Sequence, residues 1–242
     1  MSPTWFIGCS GYHYRHWKGV FYPEKLPQRR WFEFYSQHFS TLELNVTFYR
    51  FPQLSFLEGW YAASLPEFRF AVKAPRLITH YKQFSGTEQL LSDFYSTLQE
   101  GLREKLGPVL FQLPPRMAYS EERLARILAS LDPAFRNVLE FRHVSWWRAE
   151  VYQALAAHGV SFCGQSHPLL PDAVVRTTPI GYYRLHGVPD LYRSPYPEDF
   201  LRHLVQEVQQ PQEALSEMYC YFNNDIDASA IGNAKQLQAL LG

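Results

Sequence analysis

The sequence has few cysteines, and the three that it has lie far apart. Cys9, Cys163 and Cys220 form no CxxC pair, so a zinc ribbon, an iron–sulfur cluster and a thioredoxin-like motif all lack their ligands. A sparse and odd number of cysteines is typical of a reducing compartment rather than of a disulfide-stabilised secreted domain. We therefore expect a cytoplasmic protein with free thiols.

An excess of charge of either sign is also missing. Lysine and arginine total 23, aspartate and glutamate total 23, and the formal net charge is 0. A neutral chain does not favour an extensive nucleic-acid surface or binding to an anionic membrane. No apolar run reaches the roughly 18 residues of a transmembrane helix, and the first residues lack the basic start and apolar core of a signal peptide. We therefore predict no membrane association.

Aromatic side chains are abundant instead. They make up 17% of the chain, while charged residues make up only 19%, which is the opposite of the balance typical of disorder. A length of 242 residues suits one large domain, and the chain contains no linker, internal repeat or low-complexity tract. The sequence predicts a single domain over residues 1–242.

Short apolar runs alternate with segments of helical periodicity along the whole chain. Strands are predicted at residues 5–9, 41–46, 68–74, 109–113, 137–142, 160–163, 182–186 and 218–222. Alternation of this kind indicates parallel strands joined by crossover helices. Eight such units in about 250 residues are typical of a (β/α)8 TIM-type barrel, and an open doubly wound sheet is the alternative.

Helix boundaries are predicted from capping residues and breakers. The clearest helix covers residues 90–106 and is expected to end at Gly107-Pro108. Ser120 and Ser145 are predicted N-caps, and Gly159 is a predicted C-terminal stop. The segment 167–180 carries three prolines and no helical pattern, so we expect a degraded sixth helix.

The predicted strands have one apolar and one polar face. Because the apolar face packs under the helices, the polar face is expected to point towards the barrel axis. The inward polar residues are Glu43, Asn45, Lys73, Gln112, Glu140, Arg142, Arg184, His186 and Asn223. Most lie late in their strands, at the end that carries the active site in barrel enzymes. Their basic groups outnumber their acids, which predicts a pocket for a small anionic molecule such as a phosphate or carboxylate ester.

Several short motifs occur in a specific order. They are Gly8-Cys9-Ser10-Gly11-Tyr12, Glu43-Leu44-Asn45-Val46-Thr47-Phe48-Tyr49, Val72-Lys73-Ala74, Thr79-His80, Gln112-Leu113-Pro114-Pro115, Glu140-Phe141-Arg142-His143, Arg184-Leu185-His186-Gly187 and Asn223-Asn224. This set resembles the YecE-like family, the domain of unknown function number seventy-two, over nearly the whole chain. The resemblance implies a TIM-type barrel and brings no established activity. Family members often place an acid just after strand six, whereas this chain has Cys163-Gly164-Gln165-Ser166, so no role for such an acid carries over.

Three inward residues are the candidates for proton transfer. Glu43 and Glu140 can serve as acid and base if the pocket raises a carboxyl pKa, and His186 has an ordinary pKa near neutrality. The alternative is that the acids are ion-pair partners of the basic residues and that His186 is a hydrogen-bonded barrel histidine. Retaining glycosidase chemistry is disfavoured, because strands four and seven carry Gln112 and His186 where barrel glycosidases usually carry their carboxylates.

Two further chemistries compete with this interpretation. Lys73 can form a Schiff base if its pKa is lowered, although an anion anchor is the more common role for such a lysine. Glu43, Glu140 and His186 can in principle ligate a metal, but no HxH, DxH or HExxH spacing supports this, and neighbouring cations would repel the ion. We predict no metal site and no cofactor.

The remaining candidates are assigned to substrate binding. Lys73, Arg142 and Arg184 are expected to hold an anion, and His80 to reach the same mouth. Asn45, Gln112, Asn223 and Asn224 are expected to orient the ligand, and Tyr12 and Tyr49 to stack on it. We favour an enzyme of hydrolase, isomerase or lyase type that acts on a small anionic or phosphorylated substrate. A non-catalytic binding protein for a nucleotide, phosphosugar or nucleic-acid end is the alternative, and a metal-dependent hydrolase is the second.

Overall fold

Eight parallel strands form the centre of the fold, in a computed structural model that describes residues 2–210 and 215–242. The strands are β1 (Thr4–Cys9), β2 (Thr41–Leu44), β3 (Arg69–Lys73), β4 (Leu106–Gln112), β5 (Asn137–Glu140), β6 (Ser161–Ser166), β7 (Ile180–Leu185) and β8 (Glu217–Phe222). The helices are α1 (Trp31–Ser36), α2 (Val46–Tyr49), α3 (Leu54–Ala63), α4 (Glu88–Leu102), α5 (Glu121–Ser130), α6 (Ala149–Ala157), α7 (Glu198–Val208) and α8 (Ser229–Ala239). Strands and helices alternate along the chain, which confirms the predicted (β/α)8 TIM-type architecture.

The sheet runs in the order β1-β8-β7-β6-β5-β4-β3-β2 and curves until its two ends meet. At the meeting point, Ser10 and Glu43 form an isolated parallel bridge, and the Gly11 amide donates to the Glu43 carbonyl at 3.0 Å. A side chain from α1 joins the same two ends. The Cys9 amide donates to the Tyr35 hydroxyl at 2.8 Å, and that hydroxyl donates to the Thr41 carbonyl at 3.0 Å. The barrel is therefore nearly closed, and the open-sheet alternative is wrong.

The barrel interior has an apolar lower half and a polar upper half. The buried residues Ala71, Leu110, Val138, Cys163, Tyr182, Tyr219 and Tyr221 form one apolar cluster inside the barrel, separate from the larger core under the helices. The polar residues follow them along the same inward faces, because side chains two residues apart in a strand share a face. This confirms the predicted assignment of polar faces to the barrel axis.

The end of one helix and the end of one strand differ from the prediction. Helix α4 ends at Leu102, because Arg103 has a positive φ of 51° that leaves the helical conformation. Gly107 and Pro108 lie inside β4 rather than ending a helix. Strand β2 ends at Leu44, and the predicted continuation through Val46 is replaced by the start of α2. The sequence pattern misses both points because the apolar spacing of each element continues past its end, to Leu106 and to Val46.

The predicted caps are partly correct. The Ser120 hydroxyl accepts from the Arg123 amide at 3.2 Å at the start of α5, and Gly159 follows α6 with φ 65°, so these two predictions are confirmed. Ser145 is not an N-cap of α6. It lies in the short 3-10 turn Val144–Trp146, and its hydroxyl accepts from the Tyr119 amide at 2.8 Å.

The sixth crossover contains no helix within the described residues. Residues 167–179 pass irregularly between β6 and β7, as the prolines predicted. Side chains secure this segment instead of helical hydrogen bonds: the Tyr183 hydroxyl donates to Asp172, and the Val174 amide donates to Glu207 on α7 at 3.1 Å. The degraded sixth helix is therefore confirmed.

In the described part of the chain, no helix is both long and apolar enough to cross a lipid bilayer. Even α4, with 15 residues, is shorter than the hydrocarbon core requires. The cysteines Cys9, Cys163 and Cys220 are buried free thiols.

Candidate functional site

Arg184 connects two carboxylates at the centre of the barrel mouth. Its Nη2 lies 2.7 Å from Glu43 Oε1, and its Nη1 lies 2.7 Å from Glu140 Oε2. All three side chains are buried, with at most 1% of the arginine exposed. Both acids are therefore closed in ion pairs, which is the alternative that the sequence left open for them.

Glu43 has further donors on both of its oxygens. The Ser10 hydroxyl donates to Oε1 at 2.7 Å, and the Tyr182 hydroxyl donates to Oε2 at 2.5 Å. Ser10 directly follows β1 and Tyr182 lies in β7, so the carboxylate on β2 connects three parts of the barrel. This arrangement gives the buried carboxylate hydrogen-bond donors on both of its oxygens.

Glu140 lies at the junction of two arginines and a histidine. Arg142 Nε is 2.6 Å from Oε1, and His186 Nε2 is 3.2 Å from the same oxygen. Burial by itself raises the pKa of Glu140, but Arg142 and Arg184 outweigh burial and hold that pKa well below its usual range. Glu140 is therefore ionised across neutral pH and orients the two guanidinium groups.

His186 is completely buried between polar neighbours. Its Nδ1 lies 3.0 Å from the Asn223 amide nitrogen, and its Nε2 lies 3.0 Å from Arg142 Nη2. Burial, followed by the charges of Arg142 and Arg184, lowers the pKa of His186 well below its ordinary value. The imidazole is therefore neutral at pH 7 and is a weak base.

Lys73 differs from the other basic residues of the mouth. Its Nζ donates to Gln112 Oε1 at 2.6 Å and lies 4.2 Å from the centre of the Phe48 ring. No carboxylate of residues 2–210 or 215–242 forms a salt bridge with it, although only 8% of Lys73 is exposed. Burial, and then the charge of Arg184, lowers the pKa of Lys73 to about 7.

Two predicted binding residues lie beside this lysine. His80 packs its ring edge-on against Phe48 at 5.1 Å, and its Nδ1 is 2.8 Å from the Thr79 hydroxyl. Burial and the charge of Lys73 lower the pKa of His80. Asn45 follows β2 directly, and its buried Oδ1 has no hydrogen-bond partner among the described residues. The assignment of these two residues to substrate binding stays a prediction.

Three predicted binding residues lie outside the ion-pair network. The Asn224 amide donates to the Ser194 carbonyl at 3.1 Å and to Asn233 at 3.0 Å, so it joins the β8 loop to α8. Tyr12 accepts a hydrogen bond from the Trp60 indole at 3.0 Å and lines a groove between α1 and α3. Tyr49 is 64% exposed on the rim of the mouth. Asn224 and Tyr12 therefore have packing partners away from the centre of the mouth.

A family model described as "Protein of unknown function DUF72" matches residues 6–242. The chain belongs to the DUF72 family. This match confirms the resemblance that the ordered motifs indicated, and it covers the barrel from the middle of β1 onwards.

Named relatives of this DUF72 protein carry no activity in their descriptions. The UPF0759 protein YunF of Bacillus subtilis (strain 168) is 27% identical over 254 residues, which cover 91% of this chain and 89% of that protein. The UPF0759 protein YecE of Escherichia coli (strain K12) is 30% identical over 112 residues, which cover 46% of this chain and 41% of that protein.

Solved structures of DUF72 proteins share the fold. The protein TM1631 of Thermotoga maritima superposes with a TM-score of 0.89 at 28% sequence identity, over 98% of this chain and 99% of that one. The protein EF0366 of Enterococcus faecalis superposes with a TM-score of 0.84 at 20% identity, over 98% of this chain and 95% of that one, and at this identity the likeness concerns the fold alone.

The structure adds three residues to the DUF72 site that the sequence prediction missed. Ser10 and Tyr182 bind Glu43, and Gln165 donates to the Phe141 carbonyl at 2.8 Å. Gln165 and Arg184 are register partners on the adjacent strands β6 and β7. The buried Oε1 of Gln165 and the buried Nε of Arg184 have no hydrogen-bond partner among the described residues. The alternation of inward and outward residues along β1, β6 and the first half of β7 could have identified these three residues, since all three occupy inward positions.

The donor set of this DUF72 mouth does not gather metal ligands. Within residues 2–210 and 215–242, no group of three or more histidine, cysteine, aspartate and glutamate side chains is arranged to hold a metal ion. Glu43, Glu140 and His186, the set considered from the sequence, each lie against a guanidinium group. Their geometry favours ion pairing over ligation.

Proposed function

We propose that this DUF72 protein is an enzyme that binds a small anionic polar molecule at the C-terminal mouth of the barrel and uses Lys73 to move a proton. The reaction class is hydrolysis, isomerisation or elimination by acid–base chemistry. In this proposal the neutral amine of Lys73 takes a proton from the bound substrate, or in hydrolysis from the water that attacks it. The resulting ammonium group then gives this proton to another atom of the substrate or to the leaving group.

One observation carries the proposal: Lys73 is a nearly buried amine with an amide partner and no ion-pair partner among the described residues. A basic group of this kind attracts an anion more strongly than one already neutralised by a carboxylate. A pKa of about 7 also leaves both protonation states populated at neutral pH, which is the condition for efficient general acid–base catalysis.

The ion-pair network supports this lysine rather than competing with it. The charges of Arg184 and Arg142 help to lower the pKa of Lys73, while those of Glu140 and Glu43 act in the opposite direction. In this proposal Arg142, whose side chain is 7% exposed, contacts the anion from the side of β5. In this proposal Glu43, Glu140 and His186 position the basic groups, and Gln112, Asn45 and Asn223 orient the substrate.

The test begins with a metabolite library screened by thermal shift, because ligand binding to the folded state raises the melting temperature. The ligand is then recovered from the complex and identified. We expect Lys73→Met to abolish turnover of that compound, whereas Lys235→Met, which removes an exposed lysine on α8, leaves turnover unchanged. Full turnover by Lys73→Met contradicts the proposal.

A binding protein without turnover is the second candidate, and the closed Glu–Arg pairs favour it. Carboxylates locked in ion pairs provide a rigid charged site but not mobile protons. The same screen separates the two candidates, since a binding protein returns the recovered ligand intact and an enzyme returns a converted one.

A further inference from the structure

A second cluster of chemically active side chains lies on the rim of the mouth, outside the ion-pair network. The Arg76 guanidinium lies 5.6 Å from the centre of the Tyr49 ring and 5.5 Å from the centre of the Tyr81 ring. Both rings are largely exposed, Tyr49 by 64% and Tyr81 by 65%. Arg76 takes part in no salt bridge found among the described residues. We call these three residues the rim platform.

The backbone that carries the rim platform is unusual. Leu77–Tyr81 form one turn of π-helix, a conformation that is rare and concentrated at functional sites. Gln83 and Phe84 follow it with φ 47° and 62°, so two consecutive non-glycine residues adopt the left-handed conformation. Strained backbone of this kind persists where the surroundings enforce it, and it is common at ligand-binding sites.

One aromatic ring connects the rim platform to the proposed anion site. Phe48 lies 4.2 Å from Lys73 Nζ and 5.2 Å from the Tyr49 ring. Lys73 is the last residue of β3, and Arg76, three residues later, is exposed. Phe48 therefore packs against both Lys73 and Tyr49 of the rim platform.

We propose that the rim platform binds a flat aromatic ring attached to the anion that Lys73 binds, so that the ligand class is an aromatic or nucleobase-bearing phosphate ester. This inference rests on the proposed function. Exposed tyrosine rings are stacking surfaces, and a guanidinium between them holds them in place before the ligand arrives. Side chains ordered in advance lose less entropy on binding, which favours affinity.

The test uses calorimetric titration of the full chain with four probes: adenosine 5′-monophosphate, phenyl phosphate, ribose 5-phosphate and inorganic phosphate. Stacking of one ring is expected to tighten binding about tenfold, so the two ring-bearing probes should bind about ten times more tightly than ribose 5-phosphate. The double variant Tyr49→Leu/Tyr81→Leu should lose this preference and retain the affinity for inorganic phosphate.

A matched control is present in the same chain. Tyr61 on α3 is also paired with a guanidinium, that of Arg103 at 5.0 Å, but it does not belong to the mouth. Tyr61→Leu should therefore leave all four affinities unchanged. A preference for both ring-bearing probes supports an aryl phosphate site, and a preference for adenosine 5′-monophosphate alone supports a nucleobase site.

Different results of this titration would contradict the ring site and the proposed anion site. If ribose 5-phosphate binds as tightly as both ring-bearing probes, or if the double variant keeps the preference, the rim platform is not a ring site and the inference is overturned. If none of the four probes binds, or if Lys73→Met binds them as the unmodified protein does, then the proposed anion site itself is wrong and the inference falls with it.

Discussion

Arg184 and Glu140 form an ion pair from which water is excluded: Nη1 lies 2.7 Å from Oε2, with 1% and 0% of the two side chains exposed. Removing the guanidinium in Arg184→Met leaves Glu140 and Glu43 as buried charges that have lost a partner. We expect the free energy of unfolding to fall by about 3–5 kcal/mol, measured by urea denaturation.

The control for this prediction is an exposed pair on α7. Arg202 contacts Glu198, and both side chains are more than half exposed. Arg202→Met should change the free energy of unfolding by less than about 1 kcal/mol, because solvent screens exposed pairs. Equal losses in Arg202→Met and Arg184→Met would show that burial of the central pair does not matter.

Gly8 lies where β1 approaches the start of β2. A Cβ at this position would lie 2.4 Å from the Thr41 carbonyl oxygen and 2.9 Å from the Tyr35 hydroxyl. We therefore expect Gly8→Ala to destabilise the protein by roughly 1–3 kcal/mol, because backbone must move to admit the methyl group. Thermal or urea unfolding measures this loss.

Gly232 is the matched glycine, because it lies inside α8 with no atom within 4 Å of the added Cβ. Gly232→Ala should stabilise the protein by about 0.5–1 kcal/mol, since alanine favours the helix. The two substitutions are the same in chemistry and opposite in expected sign. If both substitutions destabilise the protein, the expectation for Gly232 is wrong. If both stabilise it, the expectation for Gly8 is wrong.

The Tyr35 hydroxyl replaces strand-to-strand hydrogen bonds where the barrel closes. Tyr35→Phe leaves the Cys9 amide and the Thr41 carbonyl without this partner in a buried place. We expect a loss of about 1–3 kcal/mol and faster hydrogen exchange of the Cys9 amide. Tyr61→Phe, which removes an exposed hydroxyl, should change stability by less than about 0.5 kcal/mol. Unchanged exchange at Cys9 would argue that the sheet closes without Tyr35.

The lowered pKa of Lys73 predicts that the free energy of unfolding depends on pH. Its pKa is about 7 in the folded protein and near 10.5 in the unfolded chain, so between these values the unfolded state binds more protons. Stability contributed by this group therefore rises with pH across that window, by at most roughly 1.4 kcal/mol per pH unit. Lys73→Met should flatten the rise relative to the unmodified protein, whereas Lys235→Met should not. Parallel pH profiles for the protein and Lys73→Met would contradict a lowered pKa.

Local patterns carry much of the fold. Alternation of apolar and polar residues in β2, β5 and β7 identified the inward faces, because a strand presents successive side chains to opposite sides. The same patterns failed at Ser145 and at Gly107-Pro108, where a 3-10 turn and a strand replace the expected cap and helix end. Propensity does not decide such positions, since contacts distant in sequence do so.

The sequence by itself determined eight alternating strand and helix units with polar residues late in the strands, because periodicity depends only on the order of residues. Which charges neutralise each other was decided only by the tertiary structure. Arg184 bridges Glu43 and Glu140 across three strands, and Lys73 is left with an amide and an aromatic ring. Pairing depends on distances of a few ångströms between strands far apart in the chain, and those distances exist only once the barrel has closed.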